Sequence, residues 1–143
     1  MNSIGFYIVL ICLNIGFFGE LKAQKPQEII GAFEFAGDIY VSFKSNSANR
    51  FLSKKVEGYL STDVLASTLK TPVDVVYSTK YARIYAIYIT NSEKFVAHAI
   101  HQVDENPKPN IKLPFGIIKD PTTNKTMAVY LNTEYKIISF PLD

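Results

Sequence analysis

The sequence predicts an all-β protein, a single antiparallel β-sandwich or barrel of about eight short strands with at most one short helix. Short β-type runs recur at a spacing of roughly 8 to 12 residues and are separated by turn residues, as in sandwiches and barrels. Helical periodicity is nearly absent along the chain. Hydrophobic residues form 48% and aromatic residues 13% of the 143 residues, which is enough to build a core rather than remain disordered.

Residues 1–23 are predicted to be a secretory signal peptide that is cleaved after Ala23. The run over residues 4–18 is apolar apart from Asn14, and it is shorter than the about 20 apolar residues of a membrane-spanning helix. A retained membrane anchor is the alternative, because no Lys or Arg precedes the run. Cleavage would remove Cys12, the single cysteine of the chain.

Residues 24–143 would then form a single all-β domain, secreted and extracellular, with no stable membrane anchor. Its size is close to the commonest size of a domain. Without a cysteine it has no disulfide, so its stability must come from buried apolar side chains.

The first predicted strand covers residues 38–43, where Ile39, Val41 and Phe43 occupy every second position. This two-residue period is typical of a half-buried strand with the apolar side chains inward. Residues 54–60 alternate in the same way and form the second predicted strand.

Residues 61–71 interrupt the β pattern. Ser61, Thr62 and Asp63 are residue types that cap the N-terminus of a helix, and Pro72 would end a helix after one or two turns. This segment is the one place where the sequence predicts a short helix.

Three strands are predicted next, over residues 73–77, 82–90 and 95–103. Residues 82–90 are apolar on both faces after Arg83, which is typical of a central strand covered on both sides. Residues 91–94 supply the turn that joins this strand to the next one as a hairpin.

The C-terminal third is predicted to contain a loop and three more strands. Pro107 and Pro109 favour an extended surface loop over residues 104–110. Residues 111–118 are apolar but interrupted by Pro114, which fits an edge strand or a covering loop. The remaining elements are a turn at 120–125 and strands at 126–131 and 135–142.

Charge and residue types argue against nucleic-acid binding and against catalysis. The net charge is +2, and the lysines of residues 24–143 are scattered from Lys25 to Lys136 rather than clustered in the basic stripe that binds nucleic acid. No serine lies in a glycine-flanked nucleophile elbow, and the one cysteine lies in the leader. We therefore expect no catalytic residue and no cofactor.

His98 and His101 are the only histidines of the chain. Residues three apart in a strand point to opposite faces, so the two imidazoles are not expected to share a metal ion. Each is expected to be a partly buried, hydrogen-bonded side chain. An enzyme that combines either histidine with a distant carboxylate is the less favoured alternative.

Tyrosines supply the candidate contact residues, because a tyrosine combines an apolar ring with a polar tip and suits the walls of pockets and interfaces. The predicted ligand or partner surface comprises Tyr40, Tyr59, Tyr85, Tyr88 and Tyr130. Within this set, Tyr40, Tyr59 and Tyr130 are expected to point outward and to meet another protein.

A glycosylation site is predicted at Asn124. Asn124, Lys125 and Thr126 form an N-glycosylation sequon, and the predicted turn around them would make the acceptor accessible in a eukaryotic secretory pathway.

The order of these features resembles the insect multiprotein bridging factor 2 family. The resemblance rests on the leader, on Gly37 and Asp38 opening a strand, on the strands at 73–77 and 82–90, and on the closing apolar strand. It covers Gly37 to Leu142. The family is named for a transcription coactivator that contacts general transcription factors, and many members look secreted, so the resemblance implies a small protein that acts through protein contacts.

The function expected from the sequence is binding, by a secreted non-enzymatic protein whose partner is an unknown protein. One alternative is the transcription coactivator that the resemblance implies. The other is a carrier of a small apolar ligand, for which the tyrosines would line the pocket.

Overall fold

The computed structural model describes residues 28–103 and 110–142, and these residues form eleven β-strands in three sheets. The first sheet, in the order β1-β2-β3, comprises β1 (Glu28–Phe35), β2 (Asp38–Ser45) and β3 (Arg50–Lys55). The middle sheet, in the order β4-β7-β6-β5, comprises β4 (Gly58–Leu60), β5 (Leu69–Ser78), β6 (Arg83–Thr90) and β7 (Phe95–Ala99). The third sheet, in the order β8-β11-β10-β9, comprises β8 (Gln102–Val103), β9 (Ile111–Lys119), β10 (Thr126–Asn132) and β11 (Ile137–Pro141).

The all-β prediction is confirmed, with eleven strands where about eight were expected. The predicted signal peptide and most of the predicted 104–110 loop lie outside the described residues. Within the described part of the chain, no helix is long and apolar enough to cross a membrane.

The sheets are stacked as layers, and the middle sheet is buried on both faces. In β6, Tyr85 and Ile87 pack against residues of the first sheet, whereas Ala86 and Tyr88 pack against residues of the third. All four are at most 5% exposed. A strand that is apolar at successive positions needs a covering layer on each side, which is the environment predicted for residues 82–90.

The core between the first and middle sheets is built on β2. Ile39 and Val41 are fully buried and Phe43 is 5% exposed, which confirms the inward face predicted from their alternation. Phe43 packs beside Phe95 of β7, with ring centroids 6.0 Å apart. Burying each of these side chains contributes about 1.5–3 kcal/mol.

The core between the middle and third sheets is built on β10, where Met127, Val129 and Leu131 are buried at alternate positions. Gly116 of β9 lies opposite Val129. A Cβ atom at Gly116 would come within 3.4 Å of a Val75 methyl group. This distance is an ordinary van der Waals contact, so β9 packs directly on β5 at this position.

Two carboxylates join β1 to the middle sheet. The Asp74 carboxylate accepts a hydrogen bond of 2.9 Å from the Ala32 amide. The Glu34 carboxylate accepts bonds from the Thr79 amide at 2.8 Å and from the Thr79 hydroxyl at 3.0 Å. Because the Ala32 amide is bonded to a side chain, it is not free to pair with another strand at this edge.

The chain passes from the first sheet to the middle sheet where the sequence predicts one strand over residues 54–60. The Val56 amide bonds to the Ile39 carbonyl at 3.0 Å, whereas the next amide, that of Glu57, bonds to the Phe95 carbonyl at 2.8 Å. Successive amides thus bond to different sheets. The predicted strand is therefore divided into β3 and β4.

Two of the strand pairings are parallel, which the antiparallel prediction does not include. They are the short pairings of β4 with β7 and of β8 with β11. The six other pairings are antiparallel.

The third sheet runs β8-β11-β10-β9, so the predicted edge strand at 111–118 is confirmed as β9.

The helix predicted over residues 61–71 is wrong, because this segment forms turns before β5 begins. Within the segment, the Val64 amide bonds to the Ser61 carbonyl and the Leu69 amide to the Ala66 carbonyl, each at 3.3 Å, as in isolated turns. Other groups of the segment bond to distant residues. The Ala66 amide donates to the Tyr135 carbonyl at 2.8 Å, and the Val64 carbonyl lies against the imidazole of His98. These bonds to other elements replace the bonds that a helix would form within itself.

Candidate functional site

The outer face of the first sheet exposes phenylalanine side chains. In β2, Tyr40 and Lys44 alternate with the inward-facing residues and therefore point away from the middle sheet. The strand register pairs Phe33 with Tyr40 and Phe51 with Lys44, so both phenylalanines lie on the same outer face. Phe33 is 42% exposed, Phe35 67% and Phe51 70%. We refer to Phe33, Phe35, Tyr40 and Phe51 as the aromatic face.

Ring and charge contacts order the part of the aromatic face next to the β1–β2 turn. Phe33 stacks on Tyr40 with ring centroids 5.7 Å apart and planes inclined by 20°. Beside them, the Lys55 ammonium lies 2.8 Å from the Asp38 carboxylate. This hydrogen bond lowers the pKa of Asp38 and raises the pKa of Lys55.

A row of short side chains lies between Phe33 and Phe51. Register places Gly31, Ser42 and Ser53 side by side, and the two serine hydroxyl groups are 2.8 Å apart. Aromatic residues thus lie on either side of a shallow polar depression. The aromatic side chains stand higher than the short side chains between them, so the surface of another protein can fit against this face.

Two of the predicted contact tyrosines, Tyr59 and Tyr85, belong to an aromatic cluster with Tyr81. The three ring centroids are 5.3, 5.5 and 6.1 Å apart. The Tyr59 hydroxyl accepts a hydrogen bond of 2.9 Å from the Ile39 amide, so Tyr59 packs on the core rather than pointing outward. Tyr85 is 5% exposed, and burial raises the pKa of its phenol.

Tyr88 and Tyr130 are core residues and do not contribute to an exposed surface. Tyr88 is fully buried and Tyr130 is 4% exposed, so the prediction that Tyr130 points outward is wrong. Its side chain lies on the far side of β10 from Val129, but there it packs edge-on against Phe140, with ring centroids 5.6 Å apart. Of the five predicted tyrosines, Tyr40 alone lies on the aromatic face.

The two histidines bond to main-chain carbonyl groups. His98 is fully buried, with Nδ1 2.7 Å from the Ala99 carbonyl oxygen and Nε2 against that of Val64. Nδ1 of His101 lies 2.6 Å from the Thr62 carbonyl oxygen. Among the described residues, no group of three or more His, Cys, Asp or Glu could hold a metal ion.

Asn124 lies exposed in the turn between β9 and β10, with a positive φ of 58°. Its amide donates to the Asp120 carbonyl at 2.8 Å. The Asp120 carboxylate accepts bonds from the Thr122 amide at 2.9 Å and the Thr123 hydroxyl at 2.8 Å. Burial raises the pKa of Asp120, but these hydrogen bonds outweigh burial and hold the pKa below its ordinary value. Glycosylation of Asn124 stays a prediction.

A cleft of about 520 Å³ lies between the middle sheet and the third sheet. Its apolar walls include Ile84 and Ile100 from the middle sheet side and Met127 from the third sheet. At its margin, the hydroxyl groups of Tyr77 and Thr122 are 3.5 Å apart. We refer to this space as the cleft.

Sequence reasoning missed β1 and therefore missed most of the aromatic face. In β1 both alternating series carry apolar residues, with Phe33 and Phe35 outward and Ala32 partly buried inward. A bulge between Ile29 and Gly31 also breaks the period. The sequence feature that could have identified β1 is a pair of phenylalanines two residues apart, followed by the turn at Gly37.

Comparison of the chain with protein-family models, with curated proteins and with solved structures finds no match. The resemblance to the multiprotein bridging factor 2 family therefore stays a prediction from the sequence.

Proposed function

We propose that this protein is a secreted, non-enzymatic binding protein that holds a protein partner on the aromatic face. The observation that carries the proposal is the exposure of Phe33, Phe35 and Phe51 on one face of one sheet. Soluble proteins rarely leave large apolar side chains together in water unless another molecule covers them. Aromatic residues also provide much of the binding energy in protein interfaces.

The charges beside the aromatic face define the chemistry of the partner. Asp38 pairs with Lys55 near one end, and Glu28 lies opposite Lys44 near the other. Both signs are present in equal number, so the face does not favour a strongly acidic or strongly basic partner. We infer a partner surface that is apolar at its centre and carries separate polar groups at its margin.

The size of the aromatic face sets the expected affinity. The two longer strands, β1 and β2, have eight residues each and are about 26 Å long, and three strands are about 14 Å wide. The resulting footprint of roughly 370 Å² is about half of the 800 Å² per partner of a standard interface. An interface of this size is typical of a transient complex.

The placement of the histidines supports a non-enzymatic function. The enzyme alternative required His98 or His101 to act with a carboxylate. The groups that face their bonded ring nitrogens are carbonyl oxygens of the main chain, which cannot serve as the acid or base partner.

The test begins with photocrosslinking in the extracellular fluid of the source organism. A photoreactive phenylalanine replaces Phe51 in one sample and Ile117, which is 65% exposed on the third sheet, in the control. A protein that is crosslinked only from position 51 is then purified, and its affinity is measured for the wild type, for Phe33→Ser with Phe51→Ser, and for Ile117→Ser.

The proposal expects the purified partner to lose at least about ten-fold in affinity for the double variant and to bind the Ile117→Ser control like the wild type. Equal loss for both variants would contradict it. A concentration-dependent dimer in sedimentation, dissociated by the same two substitutions, would assign the aromatic face to a second copy of the chain. Retention of the chain in the nucleus would favour the coactivator alternative.

A further inference from the structure

We infer that the cleft binds an amphipathic small molecule with a single anionic head group, which pairs with the Arg83 guanidinium. This site lies between the middle and third sheets and is separate from the aromatic face on the first sheet. The inference therefore does not rest on the proposed protein partner.

Arg83 supplies a positive charge at the cleft. It is exposed at the first position of β6 and lines the cleft. Five lysines lie within 4 Å of a carboxylate: Lys54, Lys55, Lys70, Lys94 and Lys136. Arg83, by contrast, forms no ion pair or hydrogen bond with any of the residues that the structure describes. Its planar guanidinium is suited to bind a carboxylate or phosphate through two parallel hydrogen bonds.

Ser139 supplies a second polar group, inside the cleft. It is 2% exposed and lines the same space. Its hydroxyl group forms no hydrogen bond within residues 28–103 and 110–142. The Ser139 oxygen is not among the buried polar atoms that lack a partner, so it stays accessible from the cleft, where it can donate to or accept from a polar atom of a ligand.

The walls of the cleft define the rest of the ligand. Ile84, Ile100 and Met127 present apolar surface, and a volume of about 520 Å³ lies within the range of 300 to 1,000 Å³ of small-molecule sites. A flexible chain of about ten carbons with one polar end matches these walls and Arg83, the one cationic side chain that the described lining residues supply.

Asp120 is the one carboxylate among the described residues that line the cleft, and it sets the direction of the ligand. Asp120 already accepts hydrogen bonds from Thr122 and Thr123, and its lowered pKa keeps it ionised near neutral pH. An anionic head is repelled from Asp120 and attracted to Arg83. A cationic ligand would take the opposite direction, and the experiment must separate the two.

The test compares three probes of similar length by calorimetry on the full protein: decanoate, decanol and decylamine, each below its micelle concentration. Arg83→Gln is the test variant. Arg50→Gln is the matched control, because Arg50 is the other arginine of the chain and lies on β3 of the first sheet. Hydrogen exchange with and without decanoate locates the bound molecule.

We expect decanoate to bind the wild type about ten-fold more tightly than the other two probes, which is the effect of one charge-assisted hydrogen-bonded pair. Arg83→Gln should abolish this preference and Arg50→Gln should keep it, with exchange slowed in β6 and β11. Equal affinity for the three probes, preference for decylamine, or protection in the first sheet would each overturn the inference. The comparison of probes on the wild type decides the matter even if a variant does not fold.

Discussion

The imidazole of His98 lies against the carbonyl oxygen of Val64, a residue 34 positions earlier in the chain. His98 belongs to β7 in the middle sheet, and Val64 belongs to the turns that replace the predicted helix. This contact satisfies a buried polar side chain and fixes the path of the turns with the same bond.

Replacing His98 by Ala is expected to lower the free energy of unfolding by about 3 kcal/mol, because it opens a cavity in the core and removes the hydrogen bond that the imidazole donates to a main-chain carbonyl group. The matched variant His101→Ala should cost about 1 kcal/mol, since His101 is half-buried and its imidazole has one hydrogen bond, to the Thr62 carbonyl. Urea denaturation of both variants measures the difference. Equal costs would show that the contact between His98 and Val64 does not tie the turns to β7.

Tyr88→Phe is expected to leave the stability unchanged or to raise it by up to about 1 kcal/mol. Tyr88 is fully buried, and its hydroxyl group has no hydrogen-bond partner among the described residues. Burial raises the pKa of this phenol. Tyr59→Phe provides the contrast: it should cost about 1 kcal/mol, because the Ile39 amide loses its acceptor. In thermal melts, the midpoint of Tyr88→Phe should stay unchanged or rise, whereas the midpoint of Tyr59→Phe should fall. A larger loss of stability for Tyr88→Phe would contradict the finding that its hydroxyl group has no hydrogen-bond partner.

Two substitutions in the turn between β1 and β2 are expected to change the stability of the protein in opposite directions. Ala36 and Gly37 both have positive φ, 51° and 82°, as in a two-residue type I′ hairpin turn. Gly37→Ala should destabilise by about 1–2 kcal/mol, and its Cβ would lie 3.4 Å from the Lys80 side chain. Ala36→Gly should stabilise by about 0.5–1 kcal/mol, because glycine adopts this conformation without strain. Chemical denaturation that moves both midpoints in one direction would exclude this turn geometry.

Acid is expected to weaken the fold as the pH falls from about 5 to 3, partly through Glu57 and Asp120. The hydrogen bond from Lys54 lowers the pKa of Glu57 below its ordinary value of 4.5. The pKa of Asp120 lies below its ordinary value of 3.8, because the hydrogen bonds that its carboxylate accepts outweigh the effect of burial. A carboxyl group whose pKa is lower in the folded state adds stability above its unfolded pKa and loses that contribution as the pH falls through the folded pKa.

Unfolding free energies of the wild type and of Asp120→Asn, measured between pH 3 and pH 7, check this expectation. The variant should be less stable at pH 7, and its stability should fall less steeply in acid. Parallel curves for the two proteins would exclude a contribution from Asp120.

Strong local periodicity made much of the fold predictable. The alternation in β2 and β10 and the two-sided run in β6 each arise from burial along one strand, which the sequence records directly. β1 was missed because its outward residues Phe33 and Phe35 are also apolar, so alternation is not visible. The short parallel pairings of β4 and β8 depend on contacts with distant strands, and two or three residues carry no pattern that could predict them.

The candidate site was predictable only in part, for a related reason. Residue type favoured tyrosines as contact residues, but burial is set by tertiary packing. Tyr40 lies on the outer face of its sheet, whereas Tyr88 and Tyr130 are enclosed by neighbouring elements. Arg83 was noted only as the residue after which β6 becomes apolar on both faces, since nothing local marks a cleft that two sheets form together.

The three layers follow one another in the order of the chain, with the first sheet at residues 28–55, the middle sheet at 58–99 and the third sheet at 102–141. During synthesis the N-terminal layers emerge before the last one. Until β9, β10 and β11 have left the ribosome, Ala86 and Tyr88 have no cover on one side. The nascent protein therefore exposes an apolar surface that can aggregate, and it needs a chaperone most in the interval before β9, β10 and β11 appear.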